Sequence, residues 1–219
     1  MKKHDTAADT PEGQRRHWLK SATAAAALLW LPSWAQQGQG GAEGGKAPRL
    51  GRTVQPGQAL REMQIHQVDA IGLEVWVENQ PPWQARVAKS GGRSVFAVNT
   101  PENYHPPAAM TYATWPEHKV APAQFRGVAY SALQHASQNF GLSPGKARVL
   151  DIEGAQHGVL AGHEVQFVGK VDGTAADVRI FIGMQPGRAL VVITAYTVQG
   201  KMGHLQEAIR RGWGNVSYL

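Results

Sequence analysis

The chain has 219 residues, a formal net charge of +6 and no cysteine. Its length suits one domain with a sizeable core, and the missing cysteines exclude thiol nucleophiles, disulfide frameworks, iron–sulfur ligation and zinc ribbons. Five basic and three acidic residues before Ala35 carry +2 of the charge, leaving +4 scattered over the rest with no basic run longer than Arg210-Arg211, so no nucleic-acid partner is expected.

The first element is the run "EGQRRHWLKSATAAAALLWLPSWAQQ" from Glu12 to Gln37. Gln14 to Lys20 resembles the twin-arginine signal motif, with the paired Arg15 and Arg16 followed by His17, the bulky Trp18, Leu19 and Lys20. The apolar stretch from Ser21 to Trp34 is too short for a membrane span, which needs ~20 apolar residues. The small residues at Ser33 and Ala35 place a cleavage after Ala35. Residues 1–35 therefore read as an export label of the twin-arginine type, recognised by that export machinery. The mature chain is expected in the periplasm without a membrane span. Residues 36–59 open with "QQGQGGAEGG", a Gly/Gln tract too poor in apolar side chains to offset its ordering entropy, and read as a linker. Residues 60–219 are expected to form a single domain.

Within that domain, "GLEVWVE" alternates Leu73, Val75 and Val77 with Glu74, Trp76 and Glu78, the period of a half-buried strand. "RSVFAVN" and "MTYATW" are two more strands, separated by the Pro-rich loop "TPENYHPP". From Pro122 to Phe140, Phe125, Val128, Ala129, Ala132, Leu133, Ala136 and Phe140 recur at helical spacing. Pro122 suits the first turn and Gly141 the C-terminal cap. Four strands follow: "KARVLDIEG", "HEVQFVGKVDG", "TAADVRIFIGM" and "RALVVITAYT". Asp172-Gly173 and Pro186-Gly187 are the turns between the last three, and links this short make the strands antiparallel. Met202, Leu205 and Ile209 share one face of a closing helix over about 201–211. The fold class is thus α+β, a mainly antiparallel sheet covered by a long central helix and a C-terminal helix.

The central helix "PAQFRGVAYSALQHASQNFG", the strand "ARVLDIEG", the hairpin "GHEVQFVGKVDGTAADVRIFIGM", the strand "RALVVITAYT" and the closing helix together resemble the Mog1/PsbP-like sandwich family. The likeness runs over roughly residues 70 to 219. It implies an α/β/α sandwich among small exported bacterial proteins with binding and assembly roles, including accessory subunits of a photosynthetic complex and a transport-factor partner. That family has no shared catalytic motif, so no catalytic residue and no cofactor are carried over.

The chain's own chemistry is sparse. No GxSxG elbow occurs, and Ser90-Gly91-Gly92-Arg93 lacks the lysine of a phosphate loop. His157 and His163, with Glu153 and Glu164 nearby, are residue types that hold zinc, copper or nickel, but a spacing of six is neither the HxH of one strand face nor the i, i+4 pair of a helix. They define the alternative reading, a metal-dependent protein or enzyme. The leading one rests on aromatics: Trp76, Trp83, Tyr104, Tyr112 and Trp115 crowd the first third of the domain among "NQPPWQ" and "NYHPP". Trp76, Trp83, Tyr104 and Trp115 are the candidate residues for a groove that binds a protein partner or a small ligand. The structural alternative is that a second layer covers them.

Overall fold

The computed structural model describes residues 63–79, 83–90, 92–101, 104–115 and 120–219; the leader with Arg15, Arg16 and Ala35, and the tract 36–59, lie outside the described residues. In chain order the strands are β1 (Met63–Val68), β2 (Leu73–Glu78), β3 (Gln84–Ser90), β4 (Arg93–Asn99) and β5 (Ala108–Trp115). Helices α1 (Pro122–Asn139) and α2 (Pro144–Arg148) follow, then β6 (Glu153–His157), β7 (Leu160–Val171), β8 (Thr174–Met184) and β9 (Leu190–Val198). A 3-10 turn (Met202–Leu205) leads into α3 (Gln206–Gly214), and β10 (Ser217–Tyr218) comes last.

Seven strands form one sheet in the order β3-β4-β5-β9-β8-β7-β6, and β1-β2-β10 form a smaller one. Every pairing is antiparallel, and the expected α+β architecture is the one observed. The hairpin turn at Asp172-Gly173 puts both residues at positive φ, 52° and 77°, as a two-residue primed turn requires. It joins β7 to β8 through eleven residue pairs from Ala161–Met184 to Val171–Thr174.

Both faces of the large sheet are covered. On one side Ala129, Ala132, Leu133 and Ala136 of α1 pack on Val165, Val178, Ile180 and Val192. The alanines keep the helix axis close to the sheet, and Leu133, fully enclosed, is worth about 1.5–3 kcal/mol of burial. The helix has no side-chain N-cap and no acidic residue in its first turn, so packing rather than capping sustains it. On the other side Val75 and Val77 of β2 with Ile209 and Trp213 of α3 pack on Phe96, Met110, Phe181 and Ile193. Helix α3 lies beside β2 in that layer, fastened by a 3.0 Å ion pair from Arg211 Nη1 to Glu78 Oε1. Thr114 Oγ1 donates to the Ile71 carbonyl at 2.8 Å, tying the β1–β2 turn to β5.

One expected strand is displaced. "KARVLDIEG" is not extended: Ser143 accepts a hydrogen bond from the Lys146 amide, and Pro144 stands in the first turn, which together start the short helix α2. The strand begins only at Glu153. The closing helix likewise starts as a 3-10 turn and runs on to Gly214. Strands β1, β3 and β10, absent from the sequence reading, complete the edges.

Candidate functional site

Strand parity decides where the aromatic candidates point. In β5, Trp115 faces α1 with no exposed surface, and the Arg93 guanidinium lies 5.9 Å above its ring. Tyr112, three residues earlier, faces the opposite core and is equally enclosed; burial pushes its phenol far above the usual value. Trp83 precedes β3 and packs half-buried against the β2/α3 side. Tyr104 is buried in the loop before β5, its amide donating to the Pro101 carbonyl. Trp76 points out of β2 on the side away from the core, half-buried, with its indole N–H donating to Glu74 Oε1 at 2.9 Å.

The four candidates therefore do not line a single groove, because the large sheet lies between Trp115 and both Trp76 and Trp83. Trp76 is the one that meets an exposed apolar neighbour. Its cross-strand partner is Ile65 of β1, half of whose surface is open to solvent. Ile65 is not evident from the sequence because in "MQIHQV" the alternation begun by Met63 and Ile65 fails at Gln67, and Val68 falls on the other face with Gln64 and His66. A depression lined by Pro107, Ala108, Val171 and Tyr196 has a cavity volume of about 10 Å³, room for one water and no more.

The histidine cluster resolves differently from the metal reading. His157 Nε2 lies 3.0 Å from Glu164 Oε2, and Arg179 grips the same carboxylate through Nη2 at 2.6 Å and Nε at 3.2 Å. The His157 ring stands edge-on to Phe181 and Trp213, and the Arg179 guanidinium lies 5.5 Å from the Trp213 ring centre. His163 is on the opposite face, stacked on Phe125 and edge-on to Tyr130. His157 and His163 thus cannot share one ion, and among the described residues no three metal-ligating side chains converge. Glu153, the cross-strand partner of Glu164, is exposed.

Two groups give the stability a worked pH dependence. Burial alone would raise the Glu164 carboxyl, but the hydrogen bonds from His157 and Arg179 and the Arg179 charge outweigh it and hold it below the ordinary value of 4.5. Burial against Phe96 lowers His66 from 6.5. In both cases the unfolded chain binds the proton more tightly, so both contributions are present at neutral pH and lost on acidification. The His66 contribution declines first, from about pH 6.5, and that of Glu164 only below about 4.5. Melting temperature should accordingly fall between pH 7.5 and 5.5, and His66→Phe should flatten that limb while leaving the drop below pH 4.5. An unchanged limb in the variant would remove His66 from the account.

No protein-family model matches the chain, and no curated protein sequence matches it. Solved structures do. A Bacteroides thetaiotaomicron protein is similar at a TM-score of 0.48 and 8% identity, over 72% of this chain and 49% of that one, so this chain spans about half its length. The cyanobacterial PsbP (CyanoP) of Synechocystis is similar at a TM-score of 0.44 and 11% identity, over 78% of this chain and 99% of that one. LpqN of Mycobacterium tuberculosis, described as involved in cell envelope biogenesis, is similar at 0.37 and 13% identity, over 76% and 98%.

Proposed function

We propose that the protein is exported to the periplasm by the twin-arginine route and works there as a non-enzymatic accessory module that binds a protein partner. The observation that carries this reading is the Trp76–Ile65 pair, an aromatic ring beside an open aliphatic side chain on the outside of the small sheet. A large amphipathic ring next to an exposed aliphatic group is the kind of anchor that dominates protein interfaces. A flat patch of this sort suits a protein surface better than a small molecule, which calls for a concave site. No described helix is long and apolar enough to cross a membrane.

The test uses the chain expressed with its own leader and cross-linked in cells before purification from the periplasmic fraction. A partner recovered with the wild type should drop by about tenfold with Trp76→Ser, the effect of losing one interface anchor. Equal recovery would move the interface elsewhere. Arg15→Lys with Arg16→Lys should leave the unprocessed chain in the cytoplasm; processed periplasmic protein from that variant would overturn the export route.

A further inference from the structure

The two layers end in a step at the β1 side of the molecule. The inward ring of His66 rests on Phe96 of β4 at 5.2 Å, so β1 lies over β4. Val87, the cross-strand partner of Phe96 on β3, points to the same side yet is 51% exposed, and Ala85 beside Val98 is exposed as well. Among the described residues the upper layer ends at β1 while the lower one continues by one strand. Strands lie about 4.8 Å apart and packed layers about 10 Å apart, so one more strand alongside β1 would sit directly above β3.

The edge itself lacks the usual guards. Among the described residues β1 pairs only with β2, through six consecutive residue pairs. Its sequence, Met63 to Val68, has no charge, proline or glycine, whereas β3, an edge strand of the large sheet, carries Arg86 and Lys89. Natural sheets protect edges with charge, proline or a bulge, because bare N–H and C=O groups template further pairing. A strand placed against β1 would have Ile65 as its neighbour on the outer side and Val87 with Ala85 beneath it. The three strands around the step hold not one Asp or Glu, and the cation on their Val87 face is the Lys89 ammonium, which has the neutral Ser94 hydroxyl at 2.9 Å, whereas Arg86 and Arg93 belong to the α1 face.

From these observations we propose that the step is a strand-addition site, taking an extended acidic segment of a partner protein. The segment pairs along β1, sets an apolar side chain on Val87 and brings a carboxylate to Lys89. This rests on the reading of the chain as a partner-binding module and gives that partner a chemistry.

The probe is a blocked peptide alternating valine with glutamate and threonine, set against the same peptide with lysine for glutamate, and titrated into the full chain. Hydrogen exchange should slow at those β1 amides that do not bond β2, with the acidic peptide alone. Val87→Lys and Ile65→Lys, both at exposed positions, should weaken binding by about tenfold or more without lowering the melting temperature. Unchanged β1 exchange, or equal binding of the lysine peptide, overturns the proposal. So does a β1 edge already protected without peptide; concentration dependence of that protection would then tell a second copy from a segment of the same chain. Partner recovery that falls with Trp76→Ser but not with Val87→Lys removes strand addition and leaves the broader reading standing.

Discussion

Trp213→Ala should lower the unfolding free energy by about 3–5 kcal/mol, the range for removing a large aromatic side chain from a packed core. The indole is fully enclosed on α3, against Phe181 of β8 and the His157 ring of β6. It is also the ring that the Arg179 guanidinium lies over. Alanine there leaves a cavity and loosens the face on which the His157–Glu164–Arg179 group is held, so the effect exceeds that of area alone. Urea titration reads it as a lower midpoint at unchanged slope. Trp213→Phe, which keeps most of the volume, should cost less than half as much. A loss below about 1 kcal/mol for the alanine variant would mean that α3 does not pack as described.

Gly162→Ala should cost about 3 kcal/mol, at the upper end of what overpacking produces. Gly162 of β7 faces Gly183 of β8 in the ladder. A β-carbon at Gly162 would run into the Ile182 carbonyl oxygen and would stand 2.6 Å from the Gly183 Cα. These are backbone atoms of the neighbouring strand, so no side-chain rotation relieves the contact. Gly183 is constrained in turn by the Phe181 ring, which occupies the space a side chain would need. Gly154→Ala on β6 is the internal control: nothing lies within 4 Å of its added carbon. It should be neutral or slightly stabilising by about 0.5 kcal/mol through the unfolded chain. Equal effects from the two substitutions would argue against a tight β7–β8 crossing.

The elements legible in the sequence are those that bury one face against a partner layer. Strands β2, β4, β5, β7, β8 and β9 show it in their side-chain pattern, and α1 in its stripe from Ala129 to Ala136. The edges were not legible, for the converse reason. In β3, Gln84 to Val87 are all exposed, so nothing selects an alternation there, and β1 is interrupted by polar residues on both faces. The "KARVLDIEG" stretch looked extended from its aliphatic residues, but the Ser143-Pro144 start outweighed that local preference. The aromatic cluster misleads for a different cause. Nearness along the chain says little once pairing fixes parity, and Trp115 and Tyr112, three apart, point to opposite faces of one strand. Ile65 became visible as a neighbour of Trp76 only through the β1–β2 register.

The pairing at the centre of the large sheet has a consequence for how the protein is made. Strand β5 meets β9 across a long stretch of chain, from Trp115 with Leu190, 75 residues on, to Ala108 with Thr197, 89 residues on. Closing a loop of that length comes late, because its entropy is lost before the contacts repay it. A chain emerging during synthesis therefore completes β3, β4 and β5 while β5 still shows a bare apolar edge, the kind of surface on which nascent chains associate. The interval between making β5 and making β9 is when the growing chain leaves the centre of its sheet unpaired.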